Sequence, residues 1–170
     1  MKTLFVALSP FLPLVAAGAQ TLTVKSESFA QNSAIPARYT GDGQDLSPAL
    51  EWQGVPAGTK ELALICDDPD APSKTPWVHW VVYKIPTAAT SLAEGAGRGG
   101  KETVQGKNSW GTEGYRGPAP PPGKTHHYHF RLYALDQELP DERGLNRAAI
   151  DRAISGHVLA QGEIVGTYQR

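Results

Sequence analysis

Apolar positions along this chain come in short runs broken by glycine, proline and polar clusters. The runs are Leu22 to Val24, Ala49 to Trp52, Glu61 to Asp67, Trp77 to Ile85, His126 to Leu135 and Glu163 to Gln169. Their strand-like length and their enrichment in β-branched and aromatic residues make the chain mainly β. One stretch is helical instead. From Arg147 to Ser155, Ala149, Ile150, Ala153 and Ile154 recur on one face, Asn146 supplies an N-cap and Gly156 a stop. No repeat or linker divides the chain, so residues 20–170 read as one domain.

Residues i and i+2 of a strand share a face, so alternation says which polar groups sit among apolar ones. On the third run, Leu62, Leu64 and Cys66 share a face that reaches Asp68 if the pleat continues. On the fourth, the face of Trp77, Val81, Tyr83 and Ile85 carries His79. On the fifth, the face of Phe130, Leu132 and Ala134 begins with His126 and Tyr128. Each apolar face thus holds a hydrogen-bonding group, and Asp68, His79, His126 and Tyr128 are expected at one mouth of the core. The opposite face of the fifth run, with His127, His129 and Arg131, reads as solvated.

Two imidazoles and a phenol can donate to the oxygens of a small anion, and amides of the Gly114 to Gly117 turn can add to them. An acid bonded to one imidazole nitrogen sets its tautomer and leaves the other for a ligand. An Asp receiving the ammonium of a zwitterion is the alternative. The run Asp68-Pro69-Asp70-Ala71-Pro72 supplies the acids. Its prolines fix their own φ and bias Asp68 and Ala71 towards extended geometry, with Asp68 placed to orient a histidine and Asp70 to line the rim. Between Leu92 and Thr125 runs a Gly- and Pro-rich stretch without periodicity. Its Trp110, Tyr115 and Pro118 to Pro122 favour an ordered, functional loop.

The 170 residues, 40% hydrophobic and with a net charge of −1, fit a packed domain. Sixteen Lys and Arg balanced by seventeen acids, with no basic stripe, argue against nucleic acid. Lys2, the apolar Leu4 to Ala17 and the small residues Ala17-Gly18-Ala19 read as an export signal cut after Ala19, which implies a periplasmic or secreted protein. Pro10 and Pro13 interrupt that run, which is shorter than the roughly 20 residues of a membrane span. Cys66 is the single cysteine, so no internal disulfide forms, and its place among Leu62 and Leu64 marks a buried, inert thiol.

Gly95-Ala96-Gly97-Arg98-Gly99-Gly100 matches G-x-G-x-x-G, but follows no buried strand and opens no helix, so a dinucleotide site is not expected. No G-x-S-x-G, P-loop or H-E-x-x-H is present. Asp68, His79 and His126 have the donor types of a zinc or iron site, yet their spacing does not select one, and neither cofactor nor metal is expected.

Several motifs in order carry a resemblance over nearly all of the chain after Ala19. They are Ile35-Pro36, Tyr39-Thr40-Gly41-Asp42-Gly43, Leu46-Ser47-Pro48, Leu50-Glu51-Trp52, Pro56 to Lys60, Asp68 to Pro72, His79-Trp80, Gly117 to Pro121, His126-His127-Tyr128 and Gly156 to Ala160. The chain resembles the phosphatidylethanolamine-binding proteins (PEBP), specifically their bacterial Raf kinase inhibitor-like branch. The resemblance implies an antiparallel β-sandwich with one or two peripheral short helices and a small anion pocket. It places the pocket motifs on Asp68, Asp70, His79, Gly117, His126 and Tyr128, with Pro118 to Pro121 as a wall. His127 stands where the family usually has Arg, and Gly41 where many bacterial members have Cys. The expected function is therefore an exported, non-enzymatic binding protein for phosphate or a phospholipid head group, with a protein partner or a homodimer left open. The alternatives are an inhibitor of a protease or signalling protein acting through residues 92–125, and a hydrolase using His79 or His126 as acid/base.

Overall fold

The computed structural model describes residues 21–99 and 103–170; the export signal read over residues 1–19 lies outside them. The chain forms β1 (Thr23–Lys25), β2 (Ser33–Ala34), β3 (Leu50–Gln53), β4 (Glu61–Asp68), β5 (Trp77–Ile85), β6 (Ser91–Leu92), β7 (Val104–Gln105), β8 (His126–Leu135), α1 (Arg147–Ile154) and β9 (Val158–Tyr168). Single turns of 3-10 helix cover Ala37–Tyr39 and Ala96–Arg98. A small sheet, β1-β3-β6, faces a larger one of order β2-β9-β8-β4-β5-β7. All pairings are antiparallel except that of β2 with β9.

The main core lies between the sheets. Val24, Leu50, Trp52 and Leu92 of the small sheet meet Leu62, Leu64, Cys66, Trp80, Phe130 and Leu132 of the large one. A second core lies behind the large sheet, where Ile65, Val81, Tyr83 and Tyr133 pack against Leu139, Leu145 and the Ile150 and Ile154 face of α1. The large sheet is therefore buried on both sides, and all eight residues of β4 are buried. This corrects the expectation of a solvated second face. His127 is exposed, but His129 and Arg131 are half-buried beneath that layer.

Three buried carboxylates on β4 need partners. Asp67, fully buried, accepts from Arg131 of β8 at 2.6 Å and from Arg147 at the start of α1. That pair of contacts anchors the helix to the sheet. Glu61 accepts from the Lys84 amide at 2.8 Å and the Leu139 amide at 3.1 Å. Lys84 has φ of 56°, where the β4–β5 ladder shifts register, so Glu61 satisfies an amide that the ladder releases. Asp68, the third, belongs to the pocket described below.

β9 is longer than the segment read from sequence, because its first residues, including Val158 and Leu159, are exposed and carry no alternation. β2, β6 and β7, two residues each, are too short to leave a periodic signal. The glycine-rich run follows the two-residue β6 and, over Gly95 to Gly99, holds a 3-10 turn, with Gly97 pressed so closely on Tyr115 that a Cβ would lie 2.3 Å from its Cβ.

Asp67→Ala strands two arginines in a half-buried layer and is expected to cost about 3 kcal/mol, seen as a lower urea midpoint at unchanged m. The Asn146 side chain accepts from the Ala149 amide at 3.0 Å. Asn146→Ala is expected to cost about 1 kcal/mol in the same measurement.

Candidate functional site

The pocket begins where β4 ends. Pro69 has no N–H, so the first amides able to fold back on Asp68 are those of Asp70 and Ala71, which donate to its Oδ1 at 2.8 and 3.1 Å. The other carboxylate oxygen lies 2.7 Å from Nδ1 of His126. A carboxylate accepts only, so the His126 proton sits on Nδ1 and Nε2 is the nitrogen left for a ligand. The register that pairs Asp67 with His129 puts Asp68 beside Tyr128 and diagonal to His126.

His79 reaches the same place by a different route. The ladder pairs Cys66 with Trp80 but Asp67 with Val78, leaving His79 as an extra residue in β5. This bulge turns His79 to the side of Trp80 and Tyr128, while Val78, Val81 and Tyr83 face the second core. The expected face of Trp77, His79, Val81, Tyr83 and Ile85 is thus broken twice, at His79 and at Lys84, and Ile85 packs with Trp80 and Val82. The backbone of the long loop then locks the ring. Nδ1 of His79 donates to the Arg116 carbonyl at 2.5 Å, and the Arg116 amide donates to the His79 carbonyl at 3.0 Å.

Aromatic rings complete the walls. The His79 ring meets the edge of Tyr128 at 5.1 Å and of Trp110 at 5.2 Å, and Trp110 meets Trp77 at 5.3 Å, all near-perpendicular. The Arg116 guanidinium lies 4.8 Å from the Trp110 ring centre. Ala71 to Ser73 and Ala119 to Pro121 close the cavity, which has a volume of about 280 Å³. Among the described residues, no buried side-chain nitrogen or oxygen lacks a hydrogen-bond partner. Nε2 of His79, Nε2 of His126 and the Tyr128 oxygen make no such bond within the protein, so all three open on the cavity.

Burial lowers the His79 pKa, against the pull of the Arg116 carbonyl and of Asp68. Burial, with the Asp68 carboxylate adding to it, raises that of Tyr128 and keeps it a phenol. The Cys66 thiol is also pushed up, by burial and by its neighbours Asp67 and Asp68, as expected of an inert core cysteine.

Asp68, His79, His126 and Tyr128 all line this one cavity, whereas Asp70 and Gly117 do not. Asp70 is turned outward. It accepts from the His127 amide at 2.9 Å and ring at 2.7 Å, with Lys124 at 3.8 Å, and the bond from His127 lowers its pKa. His127, at the family's Arg position, therefore partners the acid next to the pocket. Gly117 acts at a distance from the cavity. A Cβ there would lie 2.4 Å from the Tyr39 carbonyl, and its amide donates to Asp45 at 2.6 Å, which seats the proline wall. A Cβ on Gly41 would approach the Cβ of Ala119, on that wall, to 3.1 Å.

The Gly114 to Gly117 amides do not serve an anion. They donate to Gly106, Gly97, His79 and Asp45 respectively. Trp77, Ala71 to Ser73 and Trp110 also line the cavity, and apolar alternation does not mark them as lining residues. The one available signal for Trp110 was a large aromatic in a loop otherwise made of glycine and polar residues.

The family model described as phosphatidylethanolamine-binding protein matches residues 25–169. A UPF0098 protein of Methanothermobacter thermautotrophicus is 50% identical over 152 residues, covering 88% of this chain and 99% of its own. Two solved structures superpose closely. A PEBP homolog of Chlamydia trachomatis has a TM-score of 0.83 at 37% identity, covering 89% of this chain and 99% of its own. YbcL of E. coli, described as a new member of the mammalian PEBP family, has a TM-score of 0.82 at 34% identity, covering 88% and 98%. The sandwich, its motifs and these relatives agree: the chain belongs to the phosphatidylethanolamine-binding protein family.

Proposed function

We propose that this chain is an exported, non-enzymatic binding protein whose pocket takes a small oxyanion, either free phosphate or the phosphoryl group of a lipid head group. The observation that carries this reading is the convergence of three unpaired polar atoms, on His79, His126 and Tyr128, at the base of one aromatic and proline-walled cavity. Orientation is built in, because both Nδ1 atoms are bonded to the protein and only Nε2 of each ring faces a ligand. Export rests on the pattern of residues 1–19, with cleavage after Ala19.

The absence of turnover is supported by what lines the cavity. Among the lining residues the one hydroxyl besides Tyr128 is that of Ser73, whose hydrogen bond goes to the Thr75 carbonyl rather than to a histidine or a carboxylate, the arrangement that would activate it as a nucleophile. Cys66 lies in the core rather than in the lining.

Residues 20–170 titrated calorimetrically with inorganic phosphate and with phosphorylethanolamine are expected to bind both, tighter binding of the second indicating a head-group site. His79→Ala and His126→Ala should each weaken binding by about tenfold or more, the loss of one charge-assisted hydrogen bond. Wild type that binds neither ligand, or variants that bind as wild type does, would refute the assignment. Tyr128→Phe removes one neutral donor and is expected to weaken binding by roughly 3- to 10-fold.

A further inference from the structure

The lining of the cavity has an unusual charge balance for an oxyanion site. Its one acidic residue is Asp68, and neither Lys nor Arg is among its residues. Arg116 is drawn away over Trp110, and Arg170, beyond Tyr128, is bound to Asp42. An anion entering beside Asp68 therefore meets negative charge, unless a proton enters with it.

Both rings turn Nε2 to the cavity with Nδ1–H committed, but Asp68 can balance a proton on His126 without a ligand. The neutral Arg116 carbonyl cannot do so for His79, so the proton that a bound anion must stabilise belongs to His79. Its Nδ1–H is committed to the Arg116 carbonyl, so in the neutral ring Nε2 carries a lone pair aimed at the cavity. A lone pair facing an oxyanion repels it, and the contact turns attractive only with a hydrogen between the two atoms. The titratable and charged groups around the ring are Asp68 and Asp67 on β4, Asp45 in the loop before β3, His126 and Tyr128 on β8, and Arg116 on the long loop. The three carboxylates favour a charged His79, while burial opposes one. A bound anion adds to the favourable side.

We infer that the pocket binds an oxyanion together with one proton, held between Nε2 of His79 and the nearest ligand oxygen. The inference rests on the oxyanion reading above and adds its proton requirement. A ligand that carries a proton, such as the phosphate monoanion, brings it in as an O–H donating to Nε2. One that carries none, such as sulfate, requires solvent to protonate Nε2, which then donates. In either case the complex holds one proton more than the free protein and the dianion, hydrogen phosphate or sulfate, together. The site accordingly selects oxyanions in its acidic state, and affinity falls as pH rises above neutrality.

Sulfate is the discriminating probe, because its charge is constant near neutral pH and any proton taken up belongs to the protein. Calorimetry of residues 20–170 with sodium sulfate, repeated in buffers of different ionisation enthalpy at about pH 8, is expected to show close to one proton taken up per sulfate. The Kd should weaken about tenfold per pH unit between roughly pH 7 and pH 9. Nitrogen NMR of the sulfate-saturated wild type should show the His79 ring as imidazolium, and without sulfate as the neutral Nδ1–H tautomer. His79→Gln, with a fixed N–H at the position of Nε2, is expected to bind more weakly and with a Kd that is flat across this range. Uptake near zero, a neutral His79 in the complex, or a pH slope that survives in His79→Gln would each overturn the inference, the last by placing the proton on His126. Failure of both sulfate and phosphate to bind at any pH would overturn the oxyanion reading as well, whereas tight, pH-independent binding would overturn the proton requirement alone.

Discussion

A strand buried on both faces cannot leave a carboxylate unpaired, and β4 carries three. Each solution organises a different part of the molecule. Glu61 takes up the amides at the Lys84 bulge and at Leu139, tying the β5 end to the segment that follows β8. Asp67 draws Arg131 and Arg147 onto the back of the sheet and so seats α1. Asp68 folds the Asp-Pro-Asp-Ala-Pro turn over itself and fixes His126. Sandwich, helix and pocket thus share one cause, the need to satisfy charge in the middle of the large sheet.

The pocket depends equally on a departure from regular structure. An ideal β5 would point His79 into the second core with Val81 and Tyr83, where no cavity lines up with Asp68. One extra residue in the ladder carries His79 across the sheet, and the Arg116 carbonyl sets its tautomer. Two histidines in one cavity thereby differ. His126 is backed by a carboxylate and His79 by a neutral carbonyl, and that asymmetry gives the site its proton chemistry.

Much of the site was readable from residue pattern. On β4 and β8 the alternation is unbroken around Cys66, Phe130 and Leu132, so Asp68, His126 and Tyr128 fall where simple period-two counting puts them. The orienting role of Asp68 followed from the same count. Period-two counting groups His79 with Val81 and Tyr83, whereas the bulge carries it to the opposite side of the sheet, and a bulge leaves no mark in apolar periodicity. Asp70 shows the limit of local stereochemistry. Its prolines bend the chain as expected, yet the direction of the carboxylate is decided by His127, 57 positions away. The acceptors of the Gly114 to Gly117 amides are hidden from the sequence for a similar reason. They lie on Gly97, Gly106, His79 and Asp45, and no turn motif specifies them.

The sequence alone determined the mainly β character, the C-terminal helix with its cap, the family and the chemical types available to the pocket. Those properties reside in short-range pattern and in motif order, which survive without coordinates. Tertiary structure decided the burial of the large sheet on both sides, the partners of Asp67 and Asp70, the face of His79 and the tautomer of its ring. Each of these depends on which distant backbone or charge completes a hydrogen bond in a place water does not reach. That pairing exists only once the sheets have closed over β4.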